Sequence, residues 1–154
     1  MQRKGKRPRA IRKSLLAVAC AVALGLLLTQ CPANRDGAPG QLAQAMQEST
    51  AAARSGALAL DLFHRGRSTA QLAAVQISDA RDEAVKAYQG IAELRVQDPV
   101  DVRRQSMLAE AVTGIITELN TASVAVRGVA GQPPLPTLQD RLLTAAATLE
   151  GGYR

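Results

Sequence analysis

A chain of 154 residues with a net charge of +6, 47% hydrophobic yet with only Phe63, Tyr88 and Tyr153 aromatic, has room for one domain once a targeting segment is set aside. Its core must come from Leu, Ile, Val and Ala, which favours closely packed helices over a sheet. The positive charge does not point to nucleic acid, because Arg3, Lys4, Lys6, Arg7, Arg9, Arg12 and Lys13 account for it, the rest of the chain holds 12 basic and 13 acidic residues, and no aromatic residues interleave with Arg for base stacking.

The basic cluster precedes an apolar core of 14 residues, Leu15 to Leu28. This is the layout of an export signal, whose Lys/Arg end stays in the cytoplasm. As a helix the core is about 21 Å long at ~1.5 Å per residue, short of the ~30 Å hydrocarbon thickness of a bilayer. The uncharged stretch nevertheless runs from Ser14 to Asn34, and Arg12 and Lys13 can snorkel to the inner face. A removed signal and a retained single-pass anchor both fit. Ala-x-Ala patterns ending at Ala19, Ala21 and Ala23 lie inside the apolar core and are poor cleavage sites.

The segment Leu28-Thr29-Gln30-Cys31 resembles the bacterial lipobox, whose cysteine receives diacylglycerol. Gln30 departs from it, since that position holds a small residue. The resemblance implies lipidation at Cys31, so three outcomes stand open: a retained anchor, a lipidated Cys31, or release after Ala33. Otherwise Cys20 and Cys31 are small apolar residues of a membrane segment. Residues 1–31 resemble the leaders of bacterial exported, signal-anchored or lipoprotein-like α-helical proteins. A composition rich in Ala, with 15 Arg against 4 Lys, resembles that of high-G+C bacteria. The resemblance implies attachment to the bacterial cytoplasmic membrane, with an uncleaved N-terminus inside and the C-terminal domain outside.

After the signal or anchor segment, 1–34, residues 35–40 read as a linker rich in turn formers, and 41–154 as the folded domain. Its punctuation predicts four helices. The first spans Gln41 to Arg65 and ends at Gly66. Ser68 with Gln71 forms a capping-box pattern that opens the second, which extends to Gln97. Asp98-Pro99, with Asp101 in the first turn, opens the third, which extends to Ala130. "GQPPLP" breaks the chain, and Thr137 with Asp140 starts a last short helix ending at Gly151-Gly152.

Periodicity supports the division. In the third helix Leu108, Val112, Ile115, Leu119, Ala122, Val126 and Val129 follow alternating steps of four and three, one apolar seam. The second places Ala73, Ile77, Ala80, Ala84, Tyr88 and Ile91 on one face, with Leu94 extending it. The first offers Leu42, Met46, Ser49, Ala53, Gly56, Leu60 and Phe63, large at the ends and small in the middle. The expectation is an all-α fold: an up-down antiparallel bundle of three long helices plus a short C-terminal helix. The third helix's seam could instead pair two chains.

Chemistry is sparse. Asp79, Asp82 and Glu83 fall within one helical turn, and Asp82 with Lys86 has i,i+4 spacing, so the cluster reads as a solvated face crossed by ion pairs. Arg65-Gly66-Arg67 suits a helix C-terminus. With His64 the only histidine and both cysteines outside the domain, no zinc ligand set and no catalytic triad can be assembled. No phosphate loop or dinucleotide fingerprint is present. No catalytic, cofactor-binding or metal residue is assigned, and no cofactor is expected. The reading is a non-enzymatic, membrane-anchored envelope protein whose bundle binds another protein, forms part of an assembly, or self-associates. The alternative is a small-molecule-binding or sensor-like module, with space between helices at Ser49, Ala53 and Gly56.

Overall fold

The computed structural model describes residues 37–153; Cys20, Cys31 and the whole signal or anchor segment lie outside the described residues. Those residues form four helices and no strand: α1 Ala38–His64, α2 Ala70–Glu93, α3 Pro99–Val126 and α4 Leu135–Tyr153. The all-helical expectation holds, and each boundary that moved did so for a local reason.

Helix α1 starts three residues before Gln41, so Ala38, Pro39 and Gly40 form its first turn and are not linker. Proline suits that place because the first turn has no intrahelical use for its missing N–H. Gly37 takes a φ of 93° ahead of it, a conformation open to glycine. At the other end Gly66 has a φ of 67°. The Arg67 N–H donates to the Leu62 carbonyl at 2.8 Å and the Gly66 N–H to the Phe63 carbonyl at 3.0 Å, the two bonds of a Schellman ending.

The cap of α2 is Thr69, one residue later than the expected Ser68. The Thr69 hydroxyl accepts the Leu72 N–H at 3.2 Å, whereas Ser68 Oγ donates to the Thr69 carbonyl at 3.3 Å. The shift removes Gln71 from the third helical position that a capping box requires. The helix stops at Glu93 rather than Gln97, and Leu94 and Asp98 are extended. At Asp98 the cause is the ring of Pro99, which disfavours helical backbone in the residue before it. Asp98 caps α3 as expected, its carboxylate accepting the Val100 N–H at 2.7 Å.

Helix α3 ends at Val126, short of Ala130, with Gly128 at a φ of 75°. Val129 thus lies past the helix and is 53% exposed, so it is not part of the seam. The remaining seam residues, Leu108 to Val126, are all buried. In α2 the expected Tyr88 is largely outside and Ala87 is buried in its place. Helix α4 has 19 residues, begins at Leu135 and continues through both glycines to Tyr153. It is a full partner in the bundle, packed on α1 and α3, and not a short appendage.

Helix α1 touches all three others, while α2 and α4 do not meet. That central place follows from its small residues. Ala45, Ser49, Ala52, Ala53, Gly56 and Ala57 are buried and let neighbouring backbones come close, with Leu42 and Leu60 filling the ends. Gly56 is the tightest point: a methyl group there would collide with Leu119 Cδ2 of α3 and meet Leu142 Cδ1 of α4. Polar contacts fasten the helix ends. Tyr153 Oη donates to the Pro39 carbonyl at 3.2 Å, and Gln105 Nε2 of α3 donates to the carbonyls of Ile91 and Leu94 at 2.6 and 3.0 Å.

Candidate functional site

A groove of about 790 Å³ lies between α3 and α4. Its α3 wall carries Met107, Ala111, Gly114 and Glu118, and its α4 wall Arg141, Ala145, Thr148 and Gly152. Buried Leu108, Val112, Ile115 and Leu119 turn α3 toward the core, as Leu138, Leu142, Ala146 and Leu149 turn α4. The groove residues occupy the flanks left over. Small side chains are frequent on both flanks, and above the line where α3 and α4 pack the groove is open to solvent.

Two glycines mark it further. Among the described residues nothing lies within 4 Å of where a methyl group would stand on Gly114 or on Gly152. An interior helix glycine costs about 1 kcal/mol relative to alanine. At Gly56 close packing explains that cost; at Gly114, as at Gly90 of α2, nothing among the described residues does.

Glu110, Glu118 and Asp140 line the groove against a single Arg141. Arg141 Nη1 lies 3.7 Å from Glu118 Oε1, a loose pairing of little energetic weight for a half-exposed arginine. Glu118 Oε2 is shielded from solvent and has no hydrogen-bond partner among the described residues. A carboxylate oxygen in that state is poorly compensated.

A second, smaller groove of about 450 Å³ runs between α1 and α2. Asp79 and Glu83, two of the acidic residues singled out in the sequence, line it with Glu48. Asp82 lies elsewhere, 3.2 Å from Arg81. Lys86 pairs with Glu83 at 2.7 Å and not with Asp82. The Glu83 hydrogen bond, and then its charge, hold the Lys86 ammonium above its ordinary 10.5. The cluster is a surface ion-pair face, and among the described residues no group of three or more His, Cys, Asp or Glu is placed to hold a metal ion.

The remaining candidates are structural. Arg65 binds Asp61 one turn back at 2.9 Å, and His64 is exposed at the end of α1. Ser49 and Ala53 are fully buried, and at Gly56 the Leu119 side chain occupies the space. Sequence reasoning missed the α3/α4 groove. The available signal was Gly114 in the middle of an uninterrupted helical pattern, beside Ala111 and between two glutamates.

Comparison of the chain with protein-family models, with curated proteins and with solved structures finds no match. No helix among the described residues is long and apolar enough to cross a membrane.

Proposed function

We propose that the protein is a non-enzymatic, membrane-anchored, extracytoplasmic helical-bundle protein that binds another protein of the bacterial envelope. The observation that carries this reading is the open α3/α4 groove, whose glycines pack against no other side chain among the described residues. A surface that withholds side chains at a cost to its own helix fits one that receives another chain. The N-terminal 34 residues provide the attachment, either as a retained anchor or through lipid on Cys31, and leave the bundle outside the cytoplasmic membrane.

An up-down antiparallel order of the four helices belongs to this reading. It is supported by the pairing of residue 39 with residue 153, of 91 and 94 with 105, and of 118 with 141. Crosslinking in intact envelopes, followed by purification of the full chain, tests the function. A reproducible protein partner is expected, and recovery of the chain alone would remove the reading. The alternative, a small-molecule module, has its space in the same α3/α4 groove and not at Ser49, Ala53 and Gly56. A broad ligand screen that raises the unfolding temperature with no protein present would favour it.

A further inference from the structure

We infer that the α3/α4 groove receives a basic amphipathic helix of the partner protein, laid lengthwise between α3 and α4 with its small apolar face inward and its Lys or Arg residues toward Glu118, Glu110 and Asp140. This rests on the protein-binding function proposed above and names the chemistry of the partner.

Shape is the first ground. From Met107 to Glu118 on one wall and from Thr137 to Gly152 on the other, the groove runs roughly 16–22 Å at ~1.5 Å per residue, about three to four helical turns. Its lining extends along that length on both helices, as a rod requires and as a compact ligand does not. Gly114, Ala111, Ala145 and Gly152 bring no large side chain into the path of an incoming backbone, and the positions a methyl group would take on both glycines are unoccupied.

Charge is the second ground, and it selects the occupant. The groove carries three carboxylates and one guanidinium. A second copy of the chain docked by the same face would bring three more carboxylates onto these, and like charges facing each other are unfavourable. A basic helix reverses that sign. It also brings Lys or Arg to the exposed part of the Glu118 carboxylate, which Arg141 reaches only at 3.7 Å.

The test uses the full chain in its native membrane, with a photoreactive benzoylphenylalanine at Ala111 or Thr148 in the groove and, as controls, at Leu72 or Val75, which are exposed on α2. After irradiation the crosslinked peptide is sequenced. The expected result is a protein adduct from positions 111 and 148, several-fold above the controls, mapping to a segment rich in Lys or Arg with apolar residues at i, i+3 and i+4. Glu118→Gln and Gly114→Leu should each cut that adduct several-fold, with the helical circular-dichroism signal unchanged. Adducts only from positions 72 and 75, adducts to an acidic or non-helical segment, to lipid, or to a second copy of this chain would each overturn the inference. The first two of those leave the protein-binding function standing. No protein adduct from any of the four positions would overturn both.

Discussion

Gly56 and Ser49 are buried in the same stretch of α1, and they answer to different constraints. Gly56 has no space beyond its hydrogen, since Leu119 and Leu142 close on it. Gly56→Val should destabilise the fold by about 1–3 kcal/mol, the usual cost of forcing atoms into a packed site. Gly56→Ala should cost less, because the atom it meets first is the movable end of Leu119. Adding Leu119→Ala to Gly56→Val should recover part of the loss, and urea midpoints of the single and double variants measure that coupling. Ser49 presents the opposite case. Its hydroxyl is fully buried with no hydrogen-bond partner among the described residues, so Ser49→Ala should leave the unfolding temperature unchanged or raise it. A clear drop would mean that the hydroxyl has a partner after all.

At the scale of helices, the joint between α2 and α3 concentrates the local interactions. Asp98 caps α3, and Asp98→Ala should cost about 1 kcal/mol in thermal or urea unfolding. Gln105→Ala would leave the carbonyls of Ile91 and Leu94 without their shared donor, at a cost of about 1–3 kcal/mol. Gln105→Glu should be worse, since it turns an acceptor toward two acceptors. The exposed Lys86–Glu83 pair is of a different kind. A lysine held above its ordinary value by carboxylates favours folding from neutral pH up to about 10.5 and loses that effect as the pH rises through its folded value. Lys86→Met should therefore remove a small part of the stability loss seen above about pH 10.5 in urea unfolding, and leave the slope of stability with pH around neutrality unchanged.

These elements also mark how far the sequence could be read. The α3 seam was legible because one periodicity holds from Leu108 to Val126, and the Asp98-Pro99 start because cap and proline signals coincide there. The α2 cap was misplaced by one residue because Ser68 and Thr69 are both good caps, and only the competing Ser68 bond to the Thr69 carbonyl decides between them. Tyr88 was taken for the core since an aromatic ring outweighs alanine in any hydrophobic pattern, yet the close approach to α1 admits only Ala87. The length of α4 was underestimated because Gly151 and Gly152 signal an ending that the docked Tyr153 overrides. The groove escaped notice because it is a space between helices, and periodicity within one helix does not report the distance to the next.

For the molecule as a whole, ten Arg or Lys against twelve Asp or Glu between residues 37 and 153 leave the bundle slightly acidic, while the first thirteen residues are strongly basic. The chain therefore separates a strongly basic end from a slightly acidic bundle. If α3 keeps Gly114 for a partner, the isolated protein should gain from losing it. Gly114→Ala is expected to raise stability by about 0.5–1 kcal/mol, measured by urea unfolding, and a loss would mean that Gly114 packs against something within the chain.

The hydrogen bond from Tyr153 to the Pro39 carbonyl brings the two extremities of the bundle within a side chain's length of each other. From residue 38 to residue 153 the bundle is thus nearly a closed loop, and its architecture does not depend on where that loop is opened. Joining residue 153 to residue 38 through a few glycines and reopening the chain in the exposed turn around Gly131 should give a circular permutant with the same four helices, α4 now leading and α3 last. Such a rearranged chain would carry its tether on α4 and present the α3/α4 groove between its first and last helices.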